Sequence, residues 1–188
     1  DRSVDPQALV EHLQFGYIAH PATIYRAARR LPPGHYVTFD GSGIGAPTRY
    51  YEPPVSQTRT TPDYSETCVR LRRRLADAVV RRKVSDVPIG AFLSGGVDSS
   101  IIVAHLAEAI GRPVCTFSVG DAGQKSYDET AYARLAARRF GTDHHELVLT
   151  ERDVLDAIPN ILDHLSEPVG DSSIIPTALL SQFARKFV

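Results

Sequence analysis

From residue 64 onward, short apolar runs alternate with longer amphipathic stretches, and the connections between them are brief. No other feature of the chain restricts its fold as much. Runs at residues 87–93, 114–119 and 145–149 read as buried strands, while the stretches between them repeat their apolar positions at helical spacing. Strands separated by single helices cannot pair as hairpins. They require right-handed crossovers, and therefore a parallel sheet covered by helices. The expected helices span residues 64–84, 99–110, 127–140 and 174–186, with one more opened by Thr150. Ser126 with Glu129 reads as a capping box, and Asp153 follows Thr150 at the same spacing. The expected fold class is α/β, a parallel sheet with flanking helices.

The first sixty residues follow a different pattern. Asp5 is the expected N-cap of a short helix over residues 5–13, with Pro6 in its first turn and Leu9, Val10 and Leu13 on one face. Leu31-Pro32-Pro33-Gly34 is a rigid turn, and residues 36–39 and 48–51 read as paired strands of a β-hairpin. The glycine-rich stretch 40–45 between them resembles a dinucleotide fingerprint, but no helix follows it, so it reads as the hairpin loop. Prolines and hydroxyl residues make 52–62 a linker. The expected organisation is a connecting segment over 1–61, then an α/β domain over 62–188.

Composition narrows the function classes. At 43% hydrophobic and 23% charged, the chain can bury a core, and its net charge of -1 provides no global field to recruit nucleic acid or a membrane. Helix 64–84 is expected to bury Val69, Leu71, Leu75, Ala78 and Val79. Its outer side carries six arginines and Lys83 against Glu66 and Asp77, which reads as a solvated or docking face. No apolar run is long enough to span a membrane, and no signal peptide opens the chain. Cys68 and Cys115 are too few for a disulfide framework or a cysteine-based zinc site, so they read as ordinary buried thiols in a reducing cytoplasm. His144 and His145 point to opposite faces of a strand and have no third ligand close in sequence, which argues against a metal there. The absence of methionine, with Asp1-Arg2 at the start, suggests a piece of a longer protein.

Ser94-Gly95-Gly96-Val97-Asp98-Ser99-Ser100 carries the chemistry. It lies between the first buried strand and the next helix, where a parallel sheet offers unpaired N–H groups and partial positive charge to a ligand. Two glycines allow close approach of a phosphate, three serines can donate further hydrogen bonds, and Asp98 can hold a Mg²⁺ bridging phosphate oxygens. There is no Gly-Lys-Ser/Thr, so this is not the common kinase or ATPase loop. Asp128 and Glu129 read as helix N-terminal acids. Asp171, Ser172 and Ser173 divide evenly between capping the last helix and binding substrate.

This loop, together with Leu31-Pro32-Pro33-Gly34-His35, Thr116-Phe117-Ser118-Val119-Gly120, Tyr127-Asp128-Glu129, Gly141-Thr142-Asp143-His144-His145-Glu146 and Glu167-Pro168-Val169-Gly170-Asp171-Ser172-Ser173, resembles the asparagine synthetase family. More closely, it is similar to that family's synthetase domain, in the N-type ATP pyrophosphatase (PP-loop) group with a Rossmann-like, adenine nucleotide α hydrolase-like fold. The resemblance implies an acyl-adenylate mechanism with ATP and Mg²⁺. A carboxylate, most simply aspartate, attacks the α-phosphate, pyrophosphate leaves, and glutamine-derived ammonia displaces AMP. It further implies that Phe92 and Val119 contact adenine through their main chains and that Leu93, Ser94, Gly95, Gly96, Ser99 and Ser100 surround the pyrophosphate. Asp98 becomes the metal ligand by the same likeness. The glutaminase domain lies outside these 188 residues, and the catalytic acids are expected beyond Val188, so the piece alone is expected to be inactive. With strand 87–93 left at an edge, it is also expected to self-associate. A nucleotide-binding scaffold or pseudoenzyme, and an RNA-modifying ATP pyrophosphatase using the Arg70 to Lys83 helix, remain as alternatives.

Overall fold

The computed structural model describes residues 2–54, 63–123 and 128–188. The chain divides into two compact units, residues 1–60 with 164–172 and residues 61–163 with 173–188.

The first unit opens with α1 (Pro6–Phe15), whose first turn is capped by Asp5 Oδ1 accepting from Gln7 N at 3.0 Å. The anticipated apolar face is not the one it buries. Ala8 packs against Ile18 and Ile24, whereas Leu9, Val10 and Leu13 are exposed, because the small Ala8 side chain lets the helix approach its neighbours closely. Four two-residue strands follow: β1 (His35–Tyr36), β2 (Phe39–Asp40), β3 (Gly43–Ile44) and β4 (Thr48–Arg49). β1 pairs antiparallel with β4, and β2 with β3, so part of the stretch expected to be loop is itself an inner rung. Tyr50 and Tyr51 leave the ladder because their N–H groups donate to Gly34 O, at 2.8 and 3.1 Å. Arg30 forms an ion pair with Glu167 and donates to Ile18 O at 2.6 Å, which ties residues 164–172 to this unit. Most of the expected linker lies outside the described residues.

The second unit is α/β, as the alternation requires. α2 (Tyr64–Arg82) leads to β5 (Gly90–Phe92), α3 (Val97–Ile110), β6 (Cys115–Asp121), α4 (Thr130–Phe140), β7 (Asp143–Leu149), α5 (Glu151–His164) and α6 (Ile174–Ala184). The sheet order is β5-β6-β7 and both pairings are parallel. β5 is shorter than the apolar run that marks it, because β6 begins at Cys115, opposite Gly90, and leaves residues 87–89 without a rung. β7 begins earlier than its apolar run because Asp143 pairs with Cys115. Thr150 and Asp153 form the reciprocal cap of α5, with Thr150 N donating to Asp153 Oδ2 at 2.8 Å and Asp153 N to Thr150 Oγ1 at 3.2 Å. The cap expected of Ser126 and Glu129 is not the one observed. Ser126 lies outside the described residues, α4 starts at Thr130, and Asp128 Oδ1 accepts from Thr130 N at 3.0 Å. That bond holds the Asp128 carboxyl below its ordinary pKa.

The sheet separates two kinds of packing. On one face, Ala91 of β5 and Leu93 just after it meet Val103 of α3 and Ala133 and Ala137 of α4, while Val79, Leu106 and Val114 join α2 to α3. Of the expected buried side of α2, only Val79 is enclosed. Leu75 and Ala78 are half-buried and Val69 and Leu71 are exposed, since only the C-terminal turns of this helix pack down. Lys83 leaves the solvated row, its Nζ donating to Ala109 O at 2.9 Å. On the opposite face Phe117 packs with Leu180, Phe183 and Ala184 of α6. Gly90 makes room for that ring, because a Cβ there would lie 2.6 Å from Phe117 Cε2. Among the described residues no helix is long and apolar enough to cross a membrane.

Polar groups buried on the α4 face are paired across the strands. Thr116 Oγ1 meets Thr142 Oγ1 at 2.8 Å and His144 Nδ1 at 2.9 Å, and His144 Nε2 meets Ser118 Oγ at 3.3 Å. Burial lowers the His144 pKa from 6.5, with help from His145 and Arg134 and opposition from Glu146. The unfolded chain therefore takes up a proton at a pH where the folded one does not, and stability falls as pH drops below 6.5. Melting temperatures measured from about pH 8 down to about pH 5 should show this decline, and His144→Gln should flatten it.

Candidate functional site

The loop 94–100 stands at the carboxyl end of β5, where the chain turns from a three-residue strand into the first turn of α3. The helix begins two residues before the sequence reading placed it, so Asp98, Ser99 and Ser100 all lie in its first turn. Its N-cap is Gly96, which supplies no side-chain cap bond. The first helical N–H groups have no intrahelical partner by geometry and carry the positive end of the helix dipole. The serines organise the turn around them. Ser94 Oγ and Ser99 Oγ are 3.0 Å apart, Gly96 N donates to Ser94 Oγ at 3.2 Å, and Ser99 Oγ donates to Gly96 O at 3.2 Å. Ser94 N donates to Ser99 Oγ at 3.3 Å, which closes the loop on itself.

Gly95 determines where this loop can sit. Its φ is +81°, and a Cβ there would lie 2.4 Å from the backbone N of Ala133, against the first turn of α4. The turn is thus pressed onto a neighbouring helix, and only glycine combines that backbone conformation with that clearance. Leu93 is 1% exposed and belongs to the core with Val103, Ala133 and Ala137, so only its main chain can face a ligand. Phe92 is half exposed and pairs in register with Phe117, two residues before Val119 on β6. The Asp98 carboxylate is exposed and makes no hydrogen bond or ion pair among the described residues.

A cleft of about 710 Å³ opens at the same edge of the sheet, lined by Val119, Gly120 and Asp121 at the end of β6, Leu149 at the end of β7 with Thr150 just after it, and Pro176 of α6. Sequence reading identified only Val119 of this set. Gly120, Asp121, Leu149 and Thr150 come from the ends of two parallel strands, where ligands gather in open α/β sheets. The Asp171 to Ser173 segment divides between units, with Asp171 and Ser172 in the first and Ser173 in the second. Ser173 takes the N-cap position of α6, and its side chain accepts no cap bond there.

Residues 70–188 match the asparagine synthase family. A Methanocaldococcus jannaschii protein provisionally named asparagine synthetase (glutamine-hydrolyzing) 2 is 34% identical over 99% of the chain and 36% of its own length. Asparagine synthetase (glutamine-hydrolyzing) 1 of Bacillus subtilis is 29% identical over the whole chain and 29% of its own length. Asparagine synthetase (glutamine-hydrolyzing) 2 of Oryza sativa subsp. japonica is 34% identical over 72% of the chain and 23% of its length. The chain thus spans about a third or less of the curated relatives it matches.

The two loop glycines should respond differently to an added methyl group. Gly95→Ala is expected to lower stability by roughly 1–3 kcal/mol through strain at positive φ and collision with backbone. Gly96→Ala meets only Ser94 Oγ at 3.3 Å and should cost under about 1 kcal/mol. Urea unfolding of both variants measures the difference.

Proposed function

Because the chain belongs to the asparagine synthase family, we propose that it is the nucleotide-binding part of an amide-forming ligase. In this reading it activates a carboxylate, aspartate most simply, for amidation by ammonia from glutamine. The observation that carries the proposal is the Ser-Gly-Gly-Val-Asp-Ser loop at the carboxyl end of β5, entering α3 without a side-chain cap. The names of the relatives support the reaction class, and the helix-covered parallel sheet supports an adenine nucleotide α hydrolase-like, PP-loop fold.

Each part of the loop has a task in that reaction. The carboxylate attacks the α-phosphate of ATP and pyrophosphate leaves, so negative charge grows on oxygens of the departing group. Backbone N–H groups at the start of α3, with the hydroxyls of Ser94, Ser99 and Ser100, would meet those oxygens. Such donors are oriented before the reaction, and their cost of ordering falls on folding rather than on the transition state. The main chain at Phe92 and Val119, on neighbouring strands, would receive the adenine. Asp98 would hold Mg²⁺, and its exposed, unpaired carboxylate on a rigid first turn suits a hard cation that takes one carboxylate together with phosphate oxygens. When bound, that ion offsets charge on the phosphates. Ammonia then displaces AMP from the acyl-adenylate. Asp171, Ser172 and Ser173 are proposed to contact the acceptor carboxylate.

The outer side of β5 has no strand partner among the described residues. An open edge beside the half-exposed Phe92 supports self-association of the 188-residue chain. Sedimentation over a range of concentrations should show species heavier than a monomer.

Asp98→Ala should abolish pyrophosphate exchange into ATP in the intact protein, with a fall of at least about a hundredfold. The melting temperature should change little, because an exposed side chain leaves no cavity. Near-normal exchange would dismiss the metal role of Asp98, and a large loss of stability would mean that the loop is structural.

A further inference from the structure

The opposite edge of the same sheet carries a second cluster with no part in nucleotide chemistry. Cys115 opens β6 and Asp143 opens β7, and the parallel register sets them directly across from each other. His145 lies two residues along β7 and so shares their face. Cys115 Sγ is 4.0 Å from Asp143 Oδ2, and His145 Nε2 is 3.4 Å from the same oxygen. All three ligand atoms lie within 4.8 Å of one another. We propose that Cys115, Asp143 and His145 form a binding site for a borderline divalent cation of the Zn²⁺ type.

Geometry and chemistry agree on this. Zinc bonds of about 2.3 Å to sulfur and about 2.0 Å to nitrogen or oxygen, at tetrahedral angles, place ligand atoms roughly 3.3–3.5 Å apart. The nitrogen–oxygen pair already meets that spacing, the sulfur needs to close by about half an ångström on the Asp143 oxygen, and its separation from the imidazole nitrogen is within 4.8 Å. His145 Nε2 is sealed from solvent and makes no hydrogen bond. A buried ring nitrogen that faces the Asp143 carboxylate at 3.4 Å without a hydrogen bond is poorly satisfied, a cost that a metal ion would remove. The imidazole is held in place by aromatic contacts, its ring centroid 5.5 Å from that of Phe117 and 4.0 Å from that of Phe187. Little ordering is therefore left to be done on binding. Asp143 is exposed, which gives the ion a path in and a water for its fourth position. Burial and the neighbouring Asp143 carboxylate push the Cys115 thiol above its ordinary pKa, with Arg112 pulling the other way. Binding would release the thiol proton to solvent as sulfur bonds to the ion, and the cation would then balance thiolate and carboxylate together.

Titration of the full chain with Zn²⁺ by calorimetry, and with Co²⁺ by absorption, tests the site. One ion per chain is expected, and the Co²⁺ form should show a thiolate-to-metal charge-transfer band with tetrahedral ligand-field bands. Cys115→Ser should eliminate the charge-transfer band, and His145→Gln should weaken binding at least about tenfold. Asp143→Asn, a change at an exposed side chain, should also weaken binding, and it carries the test if circular dichroism shows that either other variant is unfolded. Cys68→Ser should leave uptake unchanged. Absence of stoichiometric binding, a Co²⁺ spectrum without a thiolate band, or equal affinity in Asp143→Asn would overturn the assignment.

Discussion

The pairing of β6 with strands on both sides is the interaction on which the second unit depends. β6 hydrogen-bonds in parallel to β5 and to β7, and its two faces supply the contacts for helices of opposite layers. Phe117, 1% exposed, anchors α6, and losing such a ring typically costs about 3–5 kcal/mol. Thr116, fully buried on the other face, would be costly if left unpaired, and the hydroxyl of Thr142 and the ring of His144 satisfy it. One strand therefore joins an aromatic layer to a polar one. Because both pairings are parallel, it also brings every carboxyl end to one edge of the sheet.

That alignment gives the two edges different chemistry. At the carboxyl edge the chain leaves β5 for α3, and helix N–H groups, serine hydroxyls and the end of β6 face one way. At the amino edge the first residues of β6 and β7 stand side by side, placing a thiol, a carboxylate and an imidazole on the α6 face. His144 and His145 show how sharply the pleat separates functions. One ring bonds to Thr116 and Ser118, and the other stacks between aromatic rings and meets Asp143.

The Ser94 to Ser100 loop is held from behind by packing rather than by its own bonds alone. Its internal hydrogen bonds are exposed and individually worth about 1 kcal/mol, too little to determine one conformation. Contact of Gly95 with the start of α4 supplies the missing constraint, and Leu93, just upstream, is locked into the core. A turn rigid on its protein side can present donors to a ligand without reorganising, as transition-state stabilisation requires.

Much of this protein was determined by interactions within a few residues, and those are what its sequence displays. Caps formed by Asp5 and by the Thr150–Asp153 pair, the alternation of strands and helices, and the serine–glycine loop depend on near neighbours along the chain. Their chemistry could be read before any fold was known. Side-chain burial and strand limits could not be read that way. Leu9, Val69 and Leu71 look like core residues by period, yet they are exposed, because burial depends on which element arrives opposite. β5 loses its first residues because β6 starts at Cys115, a fact of register between segments distant in sequence. For the same reason two adjacent histidines offered no metal set by spacing alone. Of the proposed set, Asp143 and His145 are near in sequence, but Cys115, 28 residues from Asp143, joins them only when parallel strands pair.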